Sequence, residues 1–228
     1  MRAFEIRRPG IDGLTLVERP RPRPGPGEVL VRVAAVSLNY RDLLNVQDPL
    51  ARGIALPRVP CSDAAGEVLA VGPGVTAVHL GQRVVSCFFQ AWAAGPIGAR
   101  AMASALGGAI DGVLAEEVVL REGGVTLAPD HLDFAEAATL PCAALTAWHA
   151  LVESGRLAPG QTVLCLGTGG VSCFALQIAR LAGAQPILVS SSPAKLERVA
   201  ALRAAATVDR SARPDWEKAV LELTRGSG

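Results

Sequence analysis

Three glycines in the C-terminal half of the chain, Gly167, Gly169 and Gly170, carry the clearest chemical signal in the sequence. They follow a short apolar run at residues 162–166, which predicts a buried strand. Glycine has no Cβ, so a turn built from it lets bare backbone approach a ligand closely. From Val171 onward, apolar residues recur at helical spacing, so the turn opens a helix. The free amide groups at a helix N-terminus favour an anion, typically a pyrophosphate.

The spacing Gly167-x-Gly169-x-x-Ser172 matches the Rossmann dinucleotide fingerprint, except that serine occupies the third glycine position. Serine is small enough to let the helix pack closely on the strand. An ordinary glycine-rich loop is the alternative interpretation. The predicted strand before the turn and the predicted helix after it favour a dinucleotide site, because the fingerprint requires that context.

The elements around this turn alternate between strand and helix. Strands are predicted at residues 162–166, 186–190 and 206–208, and helices at residues 171–182, 193–202 and 214–223. Such alternation predicts right-handed βαβ units and a parallel sheet. Ahead of them, Asp133 and Glu136 form the pattern of a capping box, which predicts a helix that runs past Pro141 to about residue 154.

The N-terminal half is predicted to be mostly β. Alternating or valine-rich runs predict strands at residues 1–6, 14–18, 28–36, 65–71, 83–86 and 116–120. The proline-rich segment 20–27 cannot join a ladder, because proline lacks an amide hydrogen. Residues 88–112 are predicted to form a loop with at most one short helix, and residues 37–44 a short helix or turn.

The composition is that of a globular protein, since half of the 228 residues are hydrophobic and the formal net charge is +1. The absence of long charged runs argues against nucleic acid or an anionic membrane as the main partner and favours a small-molecule ligand. The apolar stretch at residues 157–179 is interrupted by Pro159 and several glycines, so we expect no membrane span there. The five cysteines are odd in number and include no Cys-x-x-Cys pair, which is typical of reduced thiols. Because the N-terminus also lacks the apolar stretch of a signal peptide, we expect a cytoplasmic protein.

Five segments carry a resemblance over the whole chain: SLNYRDLL (37–44), VPCSDAAGEVLAVGPGV (59–75), ALGGAIDGVLAEEVVL (105–120), AATLPCAALTAWHAL (137–151) and GTGGVS (167–172). Together they resemble the medium-chain dehydrogenase/reductase superfamily, specifically its zinc-free, quinone-oxidoreductase-like members. The resemblance implies an α/β fold in which a β-rich GroES-like domain at residues 1–128 precedes a Rossmann domain at residues 129–228. It also implies a cleft in which substrate meets the nicotinamide.

In zinc-dependent members of the superfamily, the catalytic metal is held at positions that match Asn39, Ser62, Asp63 and Cys142 here. Of these residues, only Cys142 is the same type as in the zinc enzymes, and a catalytic zinc site needs three protein ligands of the Cys, His or carboxylate kind. The four-cysteine lobe that binds a structural zinc is also missing. We therefore predict that the protein binds no metal.

Without a metal, a carbonyl or enone oxygen that gains charge during hydride transfer needs hydrogen-bond donors. The resemblance makes Asn39 and Tyr40 the candidate catalytic residues, and Tyr40 is the only tyrosine in the chain. The alternatives are that Asn39 is a turn residue and that Tyr40 packs in an interface. Asp42 is interpreted as a helix cap or structural acceptor. Thr146 matches a family threonine close to the nicotinamide ring, with an ordinary helix-interior threonine as the alternative.

The cofactor type follows from the end of the second predicted strand of the Rossmann domain. NAD sites usually place Asp or Glu there, whereas the 2′-phosphate of NADP needs cations and hydroxyl donors. This chain has Ser190, Ser191 and Ser192, followed by Lys195 and Arg198, so NADP(H) is favoured over NAD(H). A serine cap followed by a solvated helix face is the alternative. The predicted cofactor-binding residues are Thr146, Gly167, Gly169, Gly170, Val171, Ser190, Ser191 and Lys195.

The sequence ends at LTRGSG, where members of the superfamily continue with a second half of the nucleotide-binding sheet. We therefore expect the strand at residues 162–166 to have an unpaired edge. Three hypotheses follow: a zinc-independent NADP(H)-dependent oxidoreductase acting on a quinone, enone, carbonyl or alcohol; a truncated, catalytically impaired cofactor-binding remnant; or a half-protein completed by a partner chain. A homo-oligomer stays open as an alternative, although the sheet edge commonly used for dimerisation is missing.

Overall fold

The computed structural model describes residues 1–226 and divides the chain into two compact units, Met1–Cys142 and Ala143–Gly228. The division therefore falls later in the chain than the boundary between residues 128 and 129 that the sequence suggests. None of the described helices is both long enough and apolar enough to cross a membrane.

The first unit opens with an antiparallel hairpin and continues into an antiparallel sheet. Strands β1 (Arg2–Ile6) and β2 (Leu14–Glu18) form the hairpin, at the two places where the sequence predicts strands. The larger sheet contains β3 (Glu28–Ser37), β4 (Asp63–Val71), β5 (Arg83–Ser86), β6 (Glu117–Arg121) and β7 (Val125–Leu127). Their order is β6-β3-β4-β5-β7, and all neighbouring pairs are antiparallel.

Valine side chains explain why these segments pair as a sheet. Branched side chains favour the extended backbone and pack well on a pleated surface. Val29, Val31, Val68 and Val84 are buried together in the core of this unit, and Leu106 of a long connection joins them. The sequence analysis missed β7, because three residues are too few to show a period.

Short helices complete the first unit: α1 (Tyr40–Gln47), α2 (Ala99–Met102) and α3 (Phe134–Ala137). The predicted capping box of α3 is present, since Asp133 Oδ1 accepts the Glu136 amide hydrogen at 2.7 Å.

The predicted continuous helix to residue 154 is wrong. The chain forms a wide π-helical turn at Leu140–Ala144, then α4 (Leu145–Trp148), then a second π-helical turn at His149–Ser154. Pro141 explains the first interruption, since it has no amide hydrogen for an α-helical bond.

Within residues 143–226, three parallel strands form the sheet that the sequence predicts. They are β8 (Thr162–Leu166), β9 (Gln185–Ser190) and β10 (Ala206–Asp209), in the order β10-β9-β8. The helices that follow them are α5 (Gly170–Leu181), α6 (Pro193–Arg198) and α7 (Trp216–Leu223). Apolar clusters bury both faces of the central strand, with Leu188 in one cluster and Ile187 and Val189 in the other.

The outer edge of β8 is open. Among the described residues this strand pairs only with β9, as the sequence analysis expects. Val163 and Cys165 pack against helices, whereas Leu164 and Leu166 point to the opposite face and are 41% and 63% exposed. An apolar strand edge with exposed leucines is an unusual feature for a protein surface.

Candidate functional site

The glycine turn between β8 and α5 is shaped to leave space. Gly167 has a φ of +86°, a conformation that favours glycine, and its amide donates to Val189 O at 2.7 Å. Gly169 forms the N-cap of α5 with an ordinary φ of −77°. A Cβ built on either glycine would meet no atom within 4 Å. The turn therefore presents bare backbone to open space at the N-terminus of a twelve-residue helix.

This turn forms one wall of a cavity of about 600 Å³, which we call the glycine-turn cavity. The cavity lies where the carboxyl ends of β8, β9 and β10 meet, which is where open α/β sheets bind their ligands. Its lining residues are Leu166, Gly167, Thr168, Gly169, Cys173, Val189, Ser190, Ser191, Ser192, Lys195, Arg198, Val199, Arg210 and Trp216.

The glycine-turn cavity has a one-sided charge. Lys195, Arg198 and Arg210 line it, and no carboxylate does so among the described residues. Asp209, which immediately precedes Arg210, accepts hydrogen bonds from the Ser211 hydroxyl and amide at 2.6 and 2.9 Å, and these lower the pKa of its carboxyl group. Hydrogen bonds within this local turn therefore stabilise the negative charge of Asp209. The cavity is suited to an anion of more than one phosphate group.

Serine residues shape the second side of this cavity. The Ser192 hydroxyl caps α6 by accepting the Lys195 amide hydrogen at 3.4 Å, and Pro193 occupies the first helical position. The Ser192 amide donates to the Ser190 hydroxyl at 3.3 Å. The serine cap predicted from the sequence is confirmed, and the same residue, Ser192, also lines the cavity.

The first unit contains a buried polar cluster, formed by Asn39, Arg41, Asp42, Ser62, Asp63 and Cys142. Asp63 is fully buried, and its two oxygens accept from the Ser62 hydroxyl and, at 2.9 Å, from the Cys142 amide. Burial raises the pKa of the Asp63 carboxyl group, against the opposing effect of these two donors. The Asn39 amide also favours the Asp63 carboxylate electrostatically.

At the start of α1, Asp42 is the cap partner that the sequence analysis expects, because its Oδ2 accepts the Asn39 backbone amide hydrogen at 2.8 Å. Burial raises the pKa of Asp42. Two atoms of this pair, Asn39 Nδ2 and Asp42 Oδ1, are buried without a hydrogen bond to any described residue. Tyr40, in contrast, is 75% exposed. The two predicted donors therefore differ sharply in accessibility.

Comparison with known proteins agrees with this organisation. The family model described as "Alcohol dehydrogenase GroES-like domain" matches residues 25–130, and the one described as "Zinc-binding dehydrogenase" matches residues 170–228. A crystal structure of a putative alcohol dehydrogenase from Sinorhizobium meliloti 1021 is 46% identical, with a TM-score of 0.92. The match covers 100% of this chain and 67% of that chain. The chain belongs to the medium-chain dehydrogenase/reductase superfamily.

Two curated members of the superfamily show how much of a whole protein this chain represents. A zinc-type alcohol dehydrogenase-like protein from Schizosaccharomyces pombe is 44% identical over 203 residues, which is 88% of this chain and 59% of the relative. A quinone oxidoreductase from Pseudomonas aeruginosa is 37% identical over 200 residues, covering 87% of this chain and 55% of the relative. The chain thus spans less than two thirds of each of these curated relatives. Members of the superfamily are NAD(P)-dependent oxidoreductases.

The predicted cofactor residues fall into two groups in this superfamily member. The glycine-turn cavity brings together five of them: Gly167, Gly169, Ser190, Ser191 and Lys195. Gly170 and Val171 lie in the first turn of α5, and Thr146 is an exposed residue of α4; these three do not line the cavity. Their roles at the cofactor stay predictions.

The lining residues that sequence reasoning missed include Arg210 and Trp216. Trp216 packs against the β9–β10 cluster and also lines the cavity. Arg210 directly follows β10, so its place at the carboxyl end of a parallel strand was an available signal.

The positions that match the zinc ligands of zinc-dependent members of the superfamily offer few metal-binding side chains. Both Asp63 oxygens already accept hydrogen bonds, and asparagine replaces a cysteine of the zinc enzymes at position 39. Across residues 1–226, no group of three or more His, Cys, Asp or Glu side chains is arranged to hold a metal ion. None of the five cysteines, all within this range, forms a disulfide.

Proposed function

We propose that this protein is a zinc-independent, NADP(H)-dependent oxidoreductase that transfers a hydride between the nicotinamide and a quinone, enone, carbonyl or alcohol substrate. The observation that carries the cofactor preference is the charge of the glycine-turn cavity: three cations, three serines and no carboxylate among the described lining residues. An NAD site would use a carboxylate for the ribose 2′-hydroxyl, and such a group would repel a 2′-phosphate. Membership of the superfamily and the quinone oxidoreductase relative support the reaction class.

The residues around the cavity fit this cofactor. The open space above Gly169, which a Cβ would fill, suits close approach of a diphosphate to the helix N-terminus. Ser190, Ser191 and Lys195 would hold the 2′-phosphate, with Arg210 as a further cation. The bound nicotinamide supplies or accepts the hydride. The chain's own task at this end is to bind and orient the adenosine and phosphate groups.

At the substrate, Tyr40 and Asn39 are proposed to donate hydrogen bonds to the oxygen that gains negative charge. Tyr40 is accessible, since 75% of its surface is exposed. Asn39 Nδ2 is buried and stabilises the Asp63 carboxylate. An amide nitrogen carries two hydrogens, so Asn39 is proposed as the second donor to the substrate oxygen.

Zinc independence is supported by the occupied oxygens of Asp63 and by the neutral amide at position 39. We therefore expect turnover to persist after extensive dialysis against a chelator, with metal content measured in the same samples. Recovery of activity only on addition of zinc would contradict this part of the proposal. A cytoplasmic location is proposed on the cysteine content alone.

Titration of NADPH and NADH tests the cofactor preference. Wild-type protein is expected to bind NADPH more tightly, and the double variant Lys195→Gln/Arg210→Gln is expected to lose about tenfold or more in NADPH affinity, about 1.4 kcal/mol. NADH affinity is expected to stay within twofold, because only the 2′-phosphate contacts are removed. Lys218→Gln is the matched control, since Lys218 lies in the same unit but outside the cavity. Equal loss for both cofactors would contradict the assignment.

A second candidate function is a cofactor-binding module without turnover, either alone or completed by another chain. The open edge of β8 favours it, because a dinucleotide normally lies across two halves of a doubly wound sheet. Quinone and enone assays at saturating NADPH separate the two candidates. NADPH binding without turnover would favour the module, and turnover restored by adding the C-terminal third of a relative would favour completion by a partner.

A further inference from the structure

The helix that carries Tyr40 is too short to hold itself in place. Helix α1 spans eight residues, and isolated helices of this length are unstable in water. Tyr40 lies on its exposed side, whereas Arg41 and Asn45, four residues apart, share one face. What this face contacts therefore determines where Tyr40 points.

Arg41 and Asn45 both bond to the backbone of the connection between α2 and β6. Arg41 Nη1 donates to Leu106 O at 2.9 Å, and Asn45 Nδ2 donates to Gly107 O at 3.0 Å. Asn45 is 2% exposed, so its bond forms away from water. Both acceptors are main-chain carbonyl groups in adjacent residues.

The guanidinium group of Arg41 lies in a slot between the Phe88 ring and Gly108. Its Cζ lies 4.5 Å from the centroid of the Phe88 ring, a cation–π arrangement. On another side is Gly108, where an added Cβ would lie 2.5 Å from Arg41 Nη2. A methyl group at position 108 would therefore require the Arg41 guanidinium group to shift from its present place.

The connection between α2 and β6, which accepts the hydrogen bond from Arg41, also contacts Cys61. Cys61 lies two residues before Asp63, the first residue of β4. An added Cβ at Gly107 would lie 2.7 Å from the Cys61 nitrogen, and one at Gly112 would lie 2.1 Å from the Cys61 oxygen. The Val113 amide donates to Cys61 O at 3.0 Å. Residues 105–113 thus form a backbone platform that touches both α1 and the start of the Ser62–Asp63 segment.

We propose that Arg41 and Asn45 are positioning residues that lock α1 onto the 105–113 platform and thereby hold Tyr40 and Asn39 in a single orientation. Neither side chain is required to touch the substrate. This inference rests on the proposed function for the role of Tyr40 and Asn39, but the lock itself is a statement about α1 that can be tested without turnover.

The single tyrosine of the chain makes the lock directly observable. Protein labelled with 3-fluorotyrosine is expected to give one sharp fluorine resonance, shifted from that of the unfolded chain. Arg41→Met and Gly108→Ala are both expected to broaden or shift this resonance, although the second variant retains Arg41. Arg52→Met is the matched control: it removes an exposed positive charge close to α1 and is expected to leave the resonance unchanged.

Kinetics separate positioning from general stability. In Arg41→Met, kcat is expected to fall about tenfold or more while the NADPH dissociation constant stays within twofold, because a displaced donor affects the reacting oxygen rather than the cofactor. Arg41→Lys is expected to recover only part of the rate, since lysine cannot fill the planar slot. Low millimolar guanidinium is expected to restore part of the activity of Arg41→Ala.

An unchanged fluorine resonance and unchanged kcat in a folded Gly108→Ala variant would overturn the lock. Failure of the proposed function looks different. In that case the wild type shows no turnover with any quinone or enone, while the fluorine resonance of Tyr40 still responds to Arg41→Met and Gly108→Ala and not to Arg52→Met.

Discussion

Two buried aspartates, Asp42 and Asp63, show that burial of a charged side chain in the first unit carries an electrostatic cost. Asp63 is fully buried and Asp42 is 4% exposed, so both carboxylates are largely removed from water. Burial raises the pKa of each carboxyl group, and for both it outweighs the opposing hydrogen bonds and the charge of Arg41. Arg41 is affected in the complementary sense, since burial lowers the pKa of its guanidinium group. Burial of the ionised cluster therefore lowers the free energy of unfolding while the polar side chains keep a fixed arrangement.

The cost of burying Asp63 can be tested by measuring the free energy of unfolding of Asp63→Asn over a series of pH values. A carboxyl group whose pKa is raised by folding binds its proton more tightly in the folded state, so the free energy of unfolding falls as pH rises above the ordinary Asp range. The penalty is absent when both states are protonated and complete once the folded carboxyl ionises. Asparagine does not titrate, so the stability of Asp63→Asn relative to wild type should increase as the pH rises above about 4, the ordinary value for aspartate.

Urea unfolding at several pH values measures that difference, with about 1.4 kcal/mol expected for each unit by which folding raises the pKa. Asp130→Asn, an exposed aspartate of the same unit, is the control. A stability difference between Asp63→Asn and wild type that does not change with pH would contradict the prediction.

At the scale of elements, the turn between β8 and α5 combines a conformational requirement with a spatial one. Gly167 needs its positive φ, whereas Gly169 has a backbone that any residue adopts. The second glycine therefore has no folding reason in this structure, since a Cβ there meets nothing within 4 Å. Its reason is the ligand, if the proposed cofactor binds at this turn.

The variants Gly167→Ala and Gly169→Ala separate these two requirements. Gly167→Ala is expected to lower the free energy of unfolding by about 1 kcal/mol or more, because alanine is strained at positive φ. Gly169→Ala is expected to leave the melting temperature unchanged and still weaken NADPH binding about tenfold or more, because the methyl group occupies the diphosphate position. Thermal melts and titration measure the two effects. Gly123→Ala, where a Cβ also meets open space, is the control; unchanged NADPH affinity in Gly169→Ala would contradict the site.

The element scale also shows how far sequence reasoning reaches. All strands except β7, and the capped starts of α3 and α6, followed from local patterns, because period and capping chemistry are local properties. The helix predicted through residue 154 failed at Pro141, whose missing amide hydrogen outweighed an alanine-rich pattern.

The candidate site was partly predictable for the same reason. Gly167, Ser190 and Lys195 lie within short motifs and could be read directly, whereas Arg210 and Trp216 come to the cavity from separate elements. Their convergence depends on the parallel order of the strands, which no local pattern contains. The Arg41 slot is similar, because its partners Phe88 and Gly108 are distant in sequence.

At the largest scale, the outer edge of β8 is unpaired among the described residues. The strand TVLCL has no charge or proline, the residues that natural edge strands use to prevent pairing with another chain. Exposed leucines at positions 164 and 166 add an apolar surface beside the unpaired backbone groups.

We expect the wild-type chain to self-associate as its concentration rises, and Leu164→Lys to reduce this association by placing a charge at the strand edge. Sedimentation velocity over a concentration series measures the effect. Leu181→Lys is the control, because Leu181 is 89% exposed at the end of α5 and is not part of a strand. A wild type that stays monomeric at every concentration, or equal effects of the two variants, would contradict this expectation.

The one-sided charge of the glycine-turn cavity has a further consequence for the protein in its solvent. The chain as a whole carries a formal charge of only +1, so attraction of a polyanion comes from three neighbouring side chains rather than from a long-range field. Over distances beyond about 8 Å, such attraction is screened at physiological ionic strength. Inorganic phosphate, pyrophosphate and other nucleotides would compete for the same cations. The choice of buffer thus decides what any measurement of anion binding to this protein reports.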